Sequence, residues 1–447
     1  MGFQVAYVPI GVGTFHLESA QDQFEKSIKL MNFLTEEAVY PEKMLLTIGD
    51  LQEFLGKINP DLIVLQNITF ANAAYASEVL KTFKCPILLW TLREPVIDGG
   101  RLRLNSLTGA YSAANAIRAF RQDSDFEYVY GAPEEEEVIA EIGAAIRAAK
   151  VKYQLSHLKM TAIGHTPQGF GFGRALDSEM MYNFGVTLES IEARELIEKA
   201  KSFTDEECAS YLEKAEAAMV GLCNTPEKNV KDFARLYKAY DEYVTENNIG
   251  AISSRCWPDF FTSFGTPVCG VLAMLNTMGV SASCEADCYG ALSMYIGSQL
   301  TGGQSTFFGD PVSLDEGENS ITFWHCGMAA CDLARKDTGA VVGVHPNRKL
   351  GPAMDFVCEA AEKVTIFRIG RKPDGTFRFF IAGGSALDKE KPFQGASVVV
   401  KTENSAKEVV YGSVKEGWEP HFVVIYADVA AELEKLAHMF GAEICRY

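Results

Sequence analysis

Short apolar runs at residues 5–10, 44–48, 62–66 and 87–90 alternate with amphipathic stretches such as 22–34 and 75–83, and this rhythm constrains the fold most. Runs with little polar alternation suit strands buried on both faces, and the intervening helical periodicity supplies the cover for each face. The first third is therefore expected to be a doubly wound α/β domain on a parallel sheet. Pro133, the carboxylates Glu134 to Glu137 and the helical run 138–149 mark its end, because proline and acidic side chains suit a helix's first turn.

A second α/β unit begins at 158–164. Helical patterns follow at 190–202, 205–219 and 227–247, with a strand-like 249–253 leading into Arg255-Cys256-Trp257. Beyond about residue 306 the texture becomes β. Runs at 321–324, 341–344, 363–369, 376–382, 396–401 and 421–426, with Asp374-Gly375 as a hairpin turn, predict a six-strand β domain or barrel. A helix over 429–440 is expected to close the chain. The fold class is thus α/β, two doubly wound α/β domains (1–155 and 156–305) followed by a mainly β, barrel-like C-terminal domain (306–447). A chain of 447 residues is too long for one ordinary core and agrees with that division.

Charge and cysteine usage narrow the partners. A net charge of −18 argues against nucleic acid, and an anionic substrate would need a local basic pocket. The N-terminus lacks the basic-then-apolar pattern of a signal peptide, and no apolar run reaches the ~18 residues of a spanning helix, so no membrane partner is expected. Eleven cysteines without a Cys-x-x-Cys pair read as reduced, mostly buried thiols of a cytoplasmic enzyme. The glycine-rich stretch from Pro167 to Arg174 departs from the dinucleotide fingerprint and lacks the Gly-Lys-Ser/Thr of a P-loop, so no nucleotide cofactor is expected there.

Three residues carry the chemistry. Glu285 stands in Ser-Cys-Glu-Ala-Asp, Asp310 follows in Phe-Phe-Gly-Asp-Pro, and His421 lies in Trp-Glu-Pro-His-Phe. Two oxygen donors and an imidazole suit Mn²⁺, Co²⁺ or Mg²⁺ better than a structural zinc. Glu285 precedes a helical run at 289–300, so it or Asp287 has the alternative role of capping that helix. His325, before Cys326, is either a further ligand or a hydrogen-bonded structural residue. Arg255 and Trp257 read either as a buried pair or as contacts to a sugar's hydroxyls and apolar face.

These segments resemble the L-fucose/L-arabinose isomerase superfamily over nearly the whole chain. Cys284 to Ala291 is similar to the family segment in which a metal-binding glutamate precedes a helix. Phe307-Phe308-Gly309-Asp310 is similar to the segment of the second acidic ligand, and Glu419 to Val424 to the C-terminal histidine motif. The resemblance implies a metal-dependent aldose–ketose isomerase, with Mn²⁺ first among the candidate ions. Glu285 and Asp310 would be both ligands and the paired proton-transfer groups, with His421 as a ligand. Proton transfer between C1 and C2 would pass through a metal-bound enediolate. His325 matches the arabinose-type members, which use an additional histidine ligand, whereas Asp310 is the acid of the fucose branch.

Thr69 and Phe70 resemble a first-domain segment that reaches a neighbouring subunit's site, which implies a homotrimer or homohexamer with shared active sites. They join Arg255, Trp257 and Trp418 as expected substrate contacts. The implied substrate is a pentose, a 6-deoxyhexose or a 6-substituted hexose such as sulfoquinovose, with Arg255, Arg174, Arg101 and Arg103 as candidate anion contacts. A hydride-shift isomerase and a non-catalytic sugar-binding protein on the same fold are the competing readings.

Overall fold

The computed structural model describes residues 2–121 and 126–447. The chain folds into two compact units, Met1–Gln154 with Ala431–Ala442, and Leu155–Ala430 with Glu443–Tyr447. Among the described residues no helix is long and apolar enough to cross a membrane.

The first unit holds a parallel sheet of strands β1 (Val5–Ile10), β2 (Ala38–Val39), β3 (Leu62–Asn67), β4 (Ile87–Thr91) and β5 (Glu127–Tyr130), in the order β2-β1-β3-β4-β5. Alternate residues of its central strands enter two separate cores. Val5, Tyr7, Leu62, Val64, Leu88 and Trp90 pack on one face, and Ala6, Val8, Ile63, Leu65 and Leu89 on the other. Burial on both faces is why these strands lack polar alternation. The run 44–48 is not a strand. Leu45 makes a single bridge to Ile10, and Thr47 accepts the Asp50 N–H at 3.1 Å, capping the helix Ile48–Leu55.

In the second unit, β6 (Lys159–Ile163), β7 (Thr187–Ile191), β8 (Ala251–Ser254) and β9 (Ser281–Cys284) form a parallel sheet in the order β7-β6-β8-β9. The helix expected from residue 190 starts later. Ser190 and Ile191 end β7, and Glu192 with Glu195 makes a capping box that opens the helix Ala193–Ser202.

The same unit carries β10 (Phe307–Asp315), β11 (Ser320–His325), β12 (Val342–Gly343), β13 (Ala353–Met354), β14 (Ala361–Arg371), β15 (Phe377–Ala386), β16 (Ala396–Thr402), β17 (Phe422–Ile425) and β18 (Glu443–Arg446). Six of them, β14-β17-β10-β11-β16-β15, are joined antiparallel, and pairing of β14 with β15 closes the ring. The expected strand at 341–344 is not a barrel stave; it pairs with β13 and makes a bridge from Val341 to Val220. Its place belongs to β10, whose Gly309 and Pro311 obscure the strand pattern and whose register shifts between Pro311 and Ser313. Nor does the helix Ala430–Phe440 end the chain. Gly441, at φ 65°, turns it into β18, which lies parallel to β15.

Candidate metal and catalytic centre

Strand order brings three of the expected residues together. In the barrel, β17 and β11 flank β10: Gly309 pairs with Phe422, the residue after His421, and Asp310 pairs with Trp324, the residue before His325. His421, Asp310 and His325 therefore stand side by side. The fourth comes from the parallel sheet, whose β6, β8 and β9 each release a loop from a carboxyl end, where open α/β sheets place their ligands. Glu285 directly follows β9, and both it and Ala286 adopt left-handed backbone at φ 60° and 56°. Two successive non-glycine residues there cost free energy, so the surrounding structure holds this turn in place.

Asp287, two residues on, takes the capping role that the sequence left open between the two acids. Its Oδ1 accepts the Gly290 N–H at 2.9 Å and caps the helix Cys288–Leu300. Its other oxygen lies 2.9 Å from His421 Nδ1 and 2.8 Å from Arg368 Nη1, and that guanidinium also donates to the His421 carbonyl at 3.0 Å. Asp287 and Arg368 are each about 1 % exposed, so the ion pair is wholly desolvated. With Nδ1 fixed, His421 turns Nε2 toward Glu285 Oε2 at 3.0 Å and Asp310 Oδ1 at 3.5 Å. His325 Nδ1 lies 3.4 Å from Cys326 Sγ. Donor atoms of Glu285, His325 and His421 lie within 4.8 Å of one another.

The charges are tightly interdependent. Burial pushes the Glu285 carboxyl up, but its bond to His421 and the nearby imidazoles outweigh this and hold it below the usual glutamate range. For Asp310 burial prevails, and the carboxyl sits above the usual aspartate value. Burial works against charge on His421, yet its bonds to Asp287 and Glu285 raise it to about 9. Asp287 is held well below the carboxylate range, because Arg368 and His421 overcome its burial. Without a divalent ion, a proton on His421 supplies the positive charge that two carboxylates demand.

These residues fit a divalent cation. Two carboxylates and two imidazoles form an oxygen-and-nitrogen donor set, and a carboxylate on the far ring nitrogen is the support that orients a ligating histidine. Cys269, Cys326 and His345 form a second buried group, in which Cys326 is also hydrogen-bonded to Cys284. Thiols suit softer ions, so the two sets are chemically distinct. All eleven cysteines are free of disulfides.

The remaining expected contacts divide. Trp257 joins the centre, its indole N–H donating to Glu285 Oε1 at 3.1 Å. Arg255 instead pairs with Asp259 at 2.7 Å and donates to the Trp257 carbonyl at 3.2 Å. Arg174 bonds Thr166 Oγ1 at 3.3 Å. Trp418 donates to the Tyr447 hydroxyl at 2.7 Å and stacks under Arg378, touching none of the four residues of the centre. Thr69 and Phe70 belong to the first unit, where Thr69 Oγ1 accepts the Val12 N–H at 2.9 Å and Phe70 packs against Phe15. Arg101 and Arg103 lie there too, with Arg101 donating to the Thr14 carbonyl at 2.6 Å.

An apolar wall that was not expected from the sequence lines the centre. Phe170 and Phe172 of the glycine-rich loop pack against His421 at 6.2 and 5.4 Å, Phe170 also meets Trp257 at 6.1 Å, and Phe308 lies 4.7 Å from the His421 ring. A Cβ on Gly173 would fall 2.7 Å from the Asp287 Cα, so glycine there permits the loop's close approach. Arg368 was also missed, although an arginine inside the apolar run 363–369 was the available signal.

No protein-family model matches the chain. It is 67% identical over 441 residues to the sulfoquinovose isomerase of Clostridium sp. (strain MSTE9), covering 99% of this chain and 98% of the relative. The sulfoquinovose isomerases of Priestia aryabhattai and Alkalicoccus urumqiensis are 38% and 34% identical, each over 98% of both chains. With this fold and centre, such likeness defines an enzyme of the sugar isomerase class. Within that class, the chain belongs to the sulfoquinovose isomerase family. Membership sets aside the non-catalytic sugar-binding reading.

Proposed function

We propose that this chain interconverts sulfoquinovose and its 2-keto isomer, moving a proton between C1 and C2 at a divalent metal centre made by Glu285, Asp310, His421 and His325. The observation that carries the reading is the convergence of Glu285, His325 and His421 on one point, with Asp310 beside them. When bound, a divalent ion offsets negative charge that develops on the sugar oxygens. The donor set and the resemblance to the L-fucose/L-arabinose isomerases favour Mn²⁺, with Co²⁺ and Mg²⁺ as the other fitting ions.

The chain's own groups divide the work. Glu285 and Asp310 act as a pair, one taking the proton from C2 and the other managing a proton at C1, through an enediolate. Asp287 and Arg368 act through His421, fixing its ring and leaving Nε2 for the centre. Trp257 holds one Glu285 oxygen and leaves the other to His421. Phe170, Phe172 and Phe308 exclude water from the imidazole, which strengthens each electrostatic contact inside. Free thiols throughout support a cytoplasmic setting.

The test is proton NMR of chelator-treated enzyme with sulfoquinovose in D₂O, with and without added Mn²⁺. Metal-dependent ketose carrying deuterium at the exchanged carbon is expected. Ketose without deuterium would favour a hydride shift, and no ketose in either condition would overturn the reading.

A further inference from the structure

Sulfoquinovose carries an anionic sulfonate on C6, and a chain with a net charge of −18 has to meet it with a local cation. Several guanidiniums in this unit are already committed: Arg368 to Asp287, Arg255 to Asp259 and Arg371 to Glu179. Arg348 is different. It is exposed, and among the described residues no carboxylate pairs with it. Its guanidinium carbon lies 5.2 Å from the Trp257 ring centroid and 4.9 Å from that of Phe261. Aromatic rings take up none of the guanidinium's N–H donors, so these are available to an anion.

The loop that presents Arg348 is closed on itself. The His345 N–H donates to the Leu350 carbonyl at 2.7 Å, the Lys349 N–H donates to the His345 carbonyl at 2.8 Å, and the Arg348 N–H reaches His345 Nδ1 at 3.4 Å. Trp257, which carries the guanidinium, is the residue whose indole N–H holds Glu285. One indole therefore separates a free cation from the metal-binding carboxylate.

We propose that Arg348 forms an anion subsite beside the metal centre and reads the C6 sulfonate; the assignment rests on the isomerase function proposed above. Planar forked N–H groups match two oxygens of a tetrahedral anion, as they match those of a phosphate. Arg348 thereby sets specificity without taking part in proton transfer.

The test is steady-state kinetics of the Mn²⁺-loaded full chain, Arg348→Ala and Arg348→Lys on sulfoquinovose and on quinovose, the same sugar without the sulfonate. Loss of a charge-assisted contact predicts a KM for sulfoquinovose raised about 10- to 100-fold in Arg348→Ala. The kcat is expected to stay near wild type, kcat/KM for quinovose to be unchanged, and Arg348→Lys to recover part of the loss. Unchanged KM in an active Arg348→Ala variant overturns the subsite alone, as does an equal loss on both sugars. A wild-type enzyme that does not convert sulfoquinovose overturns the functional reading and the subsite with it.

Discussion

His421 is the residue on which the centre turns, because its two nitrogens face different tasks: Nδ1 meets Asp287, and Nε2 meets Glu285 and Asp310. Its raised value, about 9, has a direct consequence for metal binding. An ion taken up as proposed would displace the proton, so apparent Mn²⁺ affinity is expected to climb about tenfold per pH unit toward pH 9, as titration calorimetry across pH would read. In the metal-free protein the sign is opposite. The stability contributed by His421⁺ is fully present below the ordinary imidazole range and is lost as pH rises through about 9. Asp287→Asn leaves one acceptor oxygen where Gly290, His421 and Arg368 use two, so the ring loses its support and metal affinity is expected to fall about 10- to 100-fold. Glu285→Gln or Asp310→Asn is expected to lower kcat by at least about 100-fold with the circular dichroism spectrum retained. Full activity in either would contradict the paired roles. The acids and His421 stand out in the sequence because their motifs are local. Arg348 does not stand out in the sequence, because its proposed role depends on its contact with Trp257, ninety-one positions away.

At the scale of elements, the loop after β9 and the helix it opens form one positioning device. Asp287 caps the helix Cys288–Leu300, which anchors a turn that Glu285 and Ala286 adopt against their backbone preference. Ala286→Gly should relieve part of that cost and raise stability by about 1 kcal/mol, read by denaturant unfolding. Gly290 faces the opposite limit: a Cβ there would lie 2.4 Å from Phe308 Cε2. Gly290→Ala should therefore destabilise by about 1–3 kcal/mol and move Phe308 off the His421 ring, with turnover falling in step. Elements with one strong periodic signal were readable from sequence, as the helix Glu227–Asn247 shows, since it keeps its expected limits. Strand β10 was hard to read because Gly309, Asp310 and Pro311 interrupt its pattern, and those interruptions are what place Asp310 at the centre.

Across the whole molecule, a parallel sheet and a closed barrel in the second unit each contribute a part of the centre that neither holds alone. Glu285 comes from the sheet, and Asp310, His325 and His421 come from the barrel. The alternation of the first third and the β texture of the last were visible in the chain because burial on two faces and on one face leave different patterns. A barrel and its β14–β15 hairpin at Asp374-Gly375 were readable too, but the order of the staves was not, since β10 pairs with β17 far along the chain. The resemblance that supports a trimer or hexamer also assigns Thr69 and Phe70 to a neighbour's active site. Native mass spectrometry is expected to show that assembly, and substitution of Phe70 to raise KM with the metal content unchanged.

The most direct measurement is an anomalous difference map from crystals of the Mn²⁺-loaded protein. One strong peak bounded by Glu285, Asp310, His421 and His325 is expected. Mn²⁺ absent from that point, or bound at Cys269, Cys326 and His345 instead, would contradict it.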